Sequence, residues 1–179
     1  MKLFKSFNNN NKNIAIIDDN DFKLTYAQTF KETNKMKKKI KQKSLILILS
    51  ENSIGFLVSY IFCILNNHVA IILDPKTSKK NIVKIFKNFQ PDFIFLQNEK
   101  ANIFRKFCSY EYVFFNQCLM KNKLKKKYKI NKDLSLLLPT SGSMGSAKFV
   151  KLSKNNLKFN TDSIIKYLKI NKKDVAITN

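Results

Sequence analysis

The densest chemistry in this chain lies in the run Pro139-Thr140-Ser141-Gly142-Ser143-Met144-Gly145-Ser146-Ala147-Lys148, where hydroxyls and glycines lead into a lysine. Gly142 and Gly145 permit positive φ and close backbone approach. Successive N–H groups can therefore converge on an anion while Ser and Thr hydroxyls add further donors. Lys148 supplies the positive charge. The combination suits the phosphates of a nucleotide and points to ATP. A GTPase-type phosphate loop needs glycine directly before the lysine and Ser or Thr directly after it. Here Ala147 and Phe149 stand in those places. The competing reading is a glycine-containing hairpin that binds nothing, but six Ser, Thr or Gly positions ended by a lysine are more than a hairpin requires.

Four segments, in order, carry a family resemblance, the last of them continuing into the helix opening just downstream. The run above resembles the phosphate-binding signature of the adenylate-forming superfamily, which comprises acyl-CoA synthetases, adenylation domains of nonribosomal peptide synthetases, and luciferases. That signature runs Thr-Ser-Gly-Ser/Thr-Thr-Gly-x-Pro-Lys-Gly-Val. Thr140, Ser141, Gly142, Ser143, Gly145, Lys148 and Val150 keep its register, while Met144, Ala147 and Phe149 depart from it. Just downstream, Leu152-Ser153-Lys154-Asn155-Asn156-Leu157 is similar to the family's Ser-His-x-Asn-Leu helix opening, with Lys154 in place of histidine. Upstream, Leu24-Thr25-Tyr26-Ala27-Gln28 resembles the Leu-Thr-Tyr-x-Glu-Leu segment, and Ser50-Glu51-Asn52-Ser53 is similar to the Asn-Ser segment. The stretch from Ile64 to Pro75 resembles the Leu-x-Ala-Gly-x-x-x-x-Leu/Val-Asp-Pro element, with Asn66 and Asn67 replacing Ala-Gly. The likeness covers roughly residues 14–179 and is thinnest between about 97 and 132.

In that family a carboxylate attacks the α-phosphate of magnesium-ATP, giving an acyl-adenylate and pyrophosphate, and a thiol of coenzyme A or of a carrier protein then takes the acyl group. The resemblance assigns Thr140, Ser141, Gly142, Ser143, Gly145 and Lys148 to the ATP phosphates. Met144 removes one donor, since a thioether cannot replace a threonine hydroxyl. The likeness reaches only the opening third or so of such an enzyme. The segments that bind magnesium, ribose and the acyl group, and the late catalytic lysine, are expected outside this chain. The resemblance therefore implies an N-terminal piece of an ATP-dependent carboxylate ligase with little activity alone and no catalytic residue of its own. One alternative is a non-catalytic α/β module that pairs with another chain, such as the remainder of the enzyme. The other is a basic protein that binds nucleic acid or an anionic membrane surface.

Charge is the feature that favours this last reading. The 179 residues hold 34 Lys+Arg against 12 Asp+Glu, a formal net charge of +22, which ordinarily suggests a polyanionic partner. The lysines, however, keep company with abundant Asn, Ile and Phe, with no Trp and three Gly, as an AT-rich coding sequence would produce. Aromatic residues do not interleave with the lysine runs at 35–43 and 121–129 as a base-stacking platform requires, so the runs read as solvated faces. Cys63, Cys108 and Cys118 have neither zinc-site spacing nor a disulfide framework, which fits a reducing cytoplasm. The single histidine, His68, reads as structural and rules out a multi-histidine metal site. Residues 1–13 lack the apolar central region expected of a secretory signal, and the longest apolar stretch, 54–65, is well short of the ~20 residues a membrane span needs.

The elements that must hold the loop alternate. Residues 1–13 read as a flexible polar lead-in, and 14–179 as the N-terminal part of an adenylate-forming domain. Short strands are expected at 14–18 and 22–25 around an Asp-Asn-Asp turn, followed by an amphipathic helix capped by Thr25 and running to Ile40. The all-apolar run 44–50 reads as a strand covered on both faces. Helix 52–66, strand 68–73, helix 78–89 and strand 92–96 follow, with Pro75 and Pro91 punctuating the connections. Residues 110–115 are β-rich, and 121–132 read as an exposed loop. Strands 134–138 and 148–152 flank the glycine run, a helix spans 153 to about 170, and 174–179 read as the start of another strand. The expected class is α/β with a largely parallel sheet.

Overall fold

The computed structural model describes residues 5–49, 51–124, 129–140 and 148–177. A two-stranded antiparallel ribbon opens it, β1 (Ile14–Ile17) with β2 (Lys23–Thr25). Helix α1 (Tyr26–Lys39) begins where Thr25 Oγ1 accepts from the Gln28 N–H at 3.1 Å and Gln28 Oε1 accepts from the Thr25 N–H at 2.8 Å. This reciprocal pair satisfies two donors that a helix start would otherwise leave open. The polar lead-in is tied to the same place: the Ala27 N–H donates to Asn11 O, and the Phe7 and Tyr26 rings meet edge-on.

The centre is α/β. Strand β3 (Leu45–Leu49), helix α2 (Ile54–Leu65), strand β4 (Val69–Leu73), helix α3 (Lys79–Phe89) and strand β5 (Phe93–Gln97) alternate, with a 3-10 segment after them at Asn98–Ile103. Next come β6 (Cys108–Phe114), β7 (Gln117–Asn122), β8 (Leu134–Pro139), β9 (Phe149–Ser153) and helix α4 (Lys154–Tyr167). The last seven strands form one mixed sheet in the order β6-β7-β5-β3-β4-β8-β9. Its four inner strands, β5, β3, β4 and β8, are parallel, and β6, β7 and β9 pair antiparallel on the flanks.

Chain handedness explains the layering. From β3 the chain moves one way along the sheet to β4, then crosses back to β5 on the other side of β3. Right-handed crossovers in opposite directions put their helices on opposite faces. Accordingly α1 and α2 pack on one face through Met36, Val58 and Phe62, and α3 packs on the other through Ile82, Ile85 and Phe86. Strand β3 shows why its run is apolar throughout: Leu45, Leu47 and Leu49 feed one core and Ile46 and Ile48 the other. All five are buried.

Three expectations need correction. The 121–132 stretch is not wholly a loop: β7 runs to Asn122, with Cys118, Leu119 and Met120 fully buried between β5 and β6. Helix α4 stops at Tyr167 rather than near 170. Lys169 turns left-handed at φ 51°, while the N–H groups of Lys169 and Ile170 bond back to Lys166 O and Ile165 O. Residues 174–177 are exposed and pair with no strand, so the strand expected there is not formed over those residues.

Candidate functional site

Strands β8 and β9 pair as a hairpin whose described ends, Thr140 and Lys148, flank the glycine run. Pro139 pairs with Phe149, and one step further out the Thr140 N–H donates to Lys148 O at 2.9 Å. The Thr140 hydroxyl donates to the same carbonyl at 3.3 Å. Of the expected phosphate-binding residues, Thr140 and Lys148 are thus brought face to face at the neck of the turn, both exposed to solvent. Ser141, Gly142, Ser143 and Gly145 lie outside the described residues, as do Met144 and Ala147. The Thr140 hydroxyl bond is long, so turning its proton toward a ligand forfeits little. A loop between two strands has no helix dipole behind it, so anion binding there must come from N–H groups, hydroxyls and the Lys148 ammonium.

Register fixes where that tip lies. Ala70 is level with Leu136 and Ile71 with Leu137, and Leu49 is level with both Leu73 and Leu96. Continued two residues, the β4–β8 register sets Pro139 beside Leu73. The turn therefore emerges at the carboxyl edge of the parallel strands, the edge where open α/β sheets bind ligands. The same edge carries the connections to α2 and α3, which leave for opposite faces of the sheet.

The other family-like segments serve the backbone. Ser53 caps α2 by accepting from the Phe56 N–H, and Ser153 with Asn156 forms a second capping box at α4. Asp74 accepts from the Lys76 N–H at 2.7 Å, and Lys100 Nζ reaches Pro75 O at 3.2 Å, which pins the turn into α3. These segments start helices; Ser153 does so at the opposite, amino edge of the sheet. One supporting residue gave no signal in the sequence. Gln117, buried at the start of β7, approaches Ser59 Oγ at 3.3 Å and Ser53 Oγ at 3.4 Å. It lies so close to Gly55 that a Cβ there would stand 2.8 Å from Gln117 Cδ.

The titratable groups away from the turn are structural. His68 is 2% exposed, its ring tilted against Phe62, with Nδ1 accepting from the Ser44 N–H at 3.2 Å. Burial pushes its pKa down to about 4, the Lys43 charge adds to the fall, and Asp92 opposes it. Lys43 donates to Lys132 O at 2.6 Å and Leu134 O at 2.9 Å, fastening the start of β8, and burial lowers its pKa too. The cysteines are free and buried; burial raises Cys63, takes Cys108 to about 12 and takes Cys118 to about 11. Among the described residues no cluster of three or more His, Cys, Asp or Glu side chains offers a metal ligand set. Nor is any helix among them long and apolar enough to cross a membrane.

The profile of the family described as AMP-binding enzyme matches residues 3–178. No curated protein matches the chain. Among solved structures, the chain resembles O-succinylbenzoate coenzyme A synthetase (MenE) from Bacillus subtilis in complex with AMP, at 18% identity and a TM-score of 0.65, over 92% of this chain and 45% of that one. ATP-bound MatB from Rhodopseudomonas palustris matches at 16% identity and a TM-score of 0.70, over 93% of this chain and 37% of that one. A malonyl-CoA ligase in a ternary product complex with methylmalonyl-CoA and AMP matches at 16% and 0.73, over 96% and 37%. The chain thus spans well under two thirds of the length of these relatives, and at such identities the likeness establishes the fold.

Proposed function

This chain belongs to the AMP-binding enzyme family, and on that premise we propose that it is the N-terminal part of a ligase that activates a carboxylic acid with ATP. Residues 14–179 form the domain portion and 1–13 its lead-in. The observation that carries the reading is the hairpin turn at the carboxyl edge, with Thr140 and Lys148 held together at its neck. The hydroxyls of Thr140, Ser141 and Ser143, the backbone at Gly142 and Gly145, and the Lys148 ammonium hold the β- and γ-phosphates. Charge builds on the departing pyrophosphate as the carboxylate attacks, so fixed donors there stabilise the transition state more than the ground state. The acyl group then passes to a thiol, coenzyme A or a carrier protein. Solved relatives carry ATP, and one of them ATP with magnesium. Among the described residues no cluster supplies a metal ligand set. Three free cysteines fit a cytoplasmic setting.

The test is ATP binding and ATP–pyrophosphate exchange with Lys148→Ala in the longest polypeptide that carries this chain. Loss of ATP affinity and of exchange supports the assignment; unchanged exchange removes Lys148 from it. A second reading, a non-catalytic module that pairs with another chain, is favoured by α4, which has no buried residue and leaves Phe159 and Ile164 exposed. Co-purification of a second polypeptide carrying the remaining family segments supports that reading, and a stable chain that activates a carboxylic acid alone removes it.

A further inference from the structure

The amino edge of the parallel strands, opposite the turn, gathers basic side chains from segments far apart in sequence. Lys37, Lys39 and Lys41 lie between α1 and the start of β3, Lys121 and Lys123 stand at the end of β7, and Lys132 leads into β8. All are exposed, and none is in an ion pair among the described residues. The backbone beneath them is bonded from strand to strand. The Asn122 N–H donates to Asp92 O at 2.9 Å, the Asp92 N–H donates to Leu45 O at 2.8 Å, and Lys43 Nζ ties the start of β3 to Lys132 O. We propose that this edge docks onto the surface of an anionic lipid bilayer, independently of what the turn binds.

A coding bias toward lysine explains the number of cations but not their separation from the acids. Asp18, Asp19, Asp21, Glu51, Asp74 and Glu99, half of the 12 acids, lie toward the carboxyl edge, where Lys76, Lys79 and Lys80 stand among them. The amino edge holds Asp92, whose Oδ2 accepts from the Leu45 N–H at 2.8 Å, and Asp133, beside Lys43. A helix C-terminus attracts lysines, which accounts for Lys37 and Lys39. Strands carry little net dipole, so Lys121, Lys123 and Lys132 are not explained that way. Seven strands spaced about 4.8 Å apart make the edge roughly 30 Å across, several times the screening length of about 8–10 Å. A small anion meets only a few of these charges, whereas an extended anionic surface meets them all. Six such cations fall within the clusters of about four to eight Lys or Arg that recognise an anionic leaflet. Nucleic acid fits less well. Arg105 is the only arginine of the chain, and fork-like recognition of phosphates and bases relies on guanidinium groups. The rings nearby are engaged, Phe107 on Phe86 and under Lys87, and Phe89 on Phe149, which leaves no platform for bases. Leu124, 45% exposed beside Lys123, is instead an apolar side chain that a bilayer interface accommodates.

Flotation of the longest polypeptide that carries this chain tests this, with vesicles of phosphatidylcholine alone or mixed with phosphatidylglycerol. The mixed vesicles are expected to bind at least about tenfold more tightly, by an amount that shrinks as salt rises. Lys37→Glu, Lys39→Glu, Lys121→Glu and Lys123→Glu together are expected to weaken that binding about tenfold or more. Lys23→Glu, Lys76→Glu, Lys79→Glu and Lys80→Glu change the net charge equally at the other edge and are expected to weaken it less than about threefold. Residues 1–179 hold no tryptophan, so the emission that Leu124→Trp adds to the parent reports that one position. It is expected to shift to the blue on the mixed vesicles and to stay in place on neutral ones. Equal binding to both vesicles, equal losses from the two sets of reversals, or an unshifted Leu124→Trp emission overturns the proposal. So does tighter binding of a mixed-sequence RNA than of mixed vesicles at equal phosphate concentration.

Discussion

Stability between about pH 4.5 and 7.5 should hinge on His68. Its Nδ1 accepts the Ser44 N–H, so the neutral ring carries its proton on Nε2, a buried atom with no partner among the described residues. Protonation would break the Ser44 bond and place a cation beside Lys43, with Asp92 as the compensating charge. The folded pKa of about 4 lies below the ordinary 6.5. Between those values the unfolded chain binds a proton that the folded chain refuses. Stability is therefore complete above the unfolded value and is lost as pH falls toward the folded one. With one pKa unit worth about 1.4 kcal/mol, the loss from pH 7.5 to 4.5 comes to about 2.5 kcal/mol. Urea unfolding across this range measures it. His68→Asn keeps an acceptor for the Ser44 N–H but cannot titrate, so its curve should be flatter by that amount, whatever its overall stability. Parallel pH dependences for the two proteins, or a His68 ring that titrates in the folded protein near 6.5, would refute the reasoning.

Three other outcomes follow from packing. Gly55→Ala should destabilise by about 1 kcal/mol, because overpacking of about 1–3 kcal/mol outweighs the gain in helix propensity. The penalty should shrink in a Gln117→Ala background, and an unchanged penalty would show that the Gln117 contact is not its cause. Thr25→Ala removes the hydroxyl that accepts from the Gln28 N–H, while the backbone N–H at position 25 can still donate to Gln28 Oε1, and should cost about 1 kcal/mol in urea unfolding; no loss would mean that β2 alone fixes the start of α1. The thiols of Cys63, Cys108 and Cys118, held protonated by burial, should resist a thiol reagent at neutral pH and react together once urea opens the chain. Rapid labelling of any one in the native protein would contradict its burial.

Local signals determined a good deal of this protein from sequence alone. The all-apolar run of β3 announced a strand covered on both faces, since only such a strand lacks a polar side. Thr25 announced the start of α1, because a hydroxyl capping an open N–H acts within three residues. The hydroxyl, glycine and lysine run announced anion chemistry, because donor types and glycine freedom are properties of the residues themselves. Strand β7 stayed hidden. Gln117-Cys118-Leu119-Met120-Lys121-Asn122 has no β-branched residue and no alternation, and it becomes a strand through the long-range pairing that β5 and β6 offer on either side. The closeness of Gln117 to Gly55 and the chilled pKa of His68 are likewise products of distant segments meeting. So is the place of the turn itself: its chemistry is written in residues 140–148, but only the parallel register of β8 with β4 carries it to the carboxyl edge of the sheet.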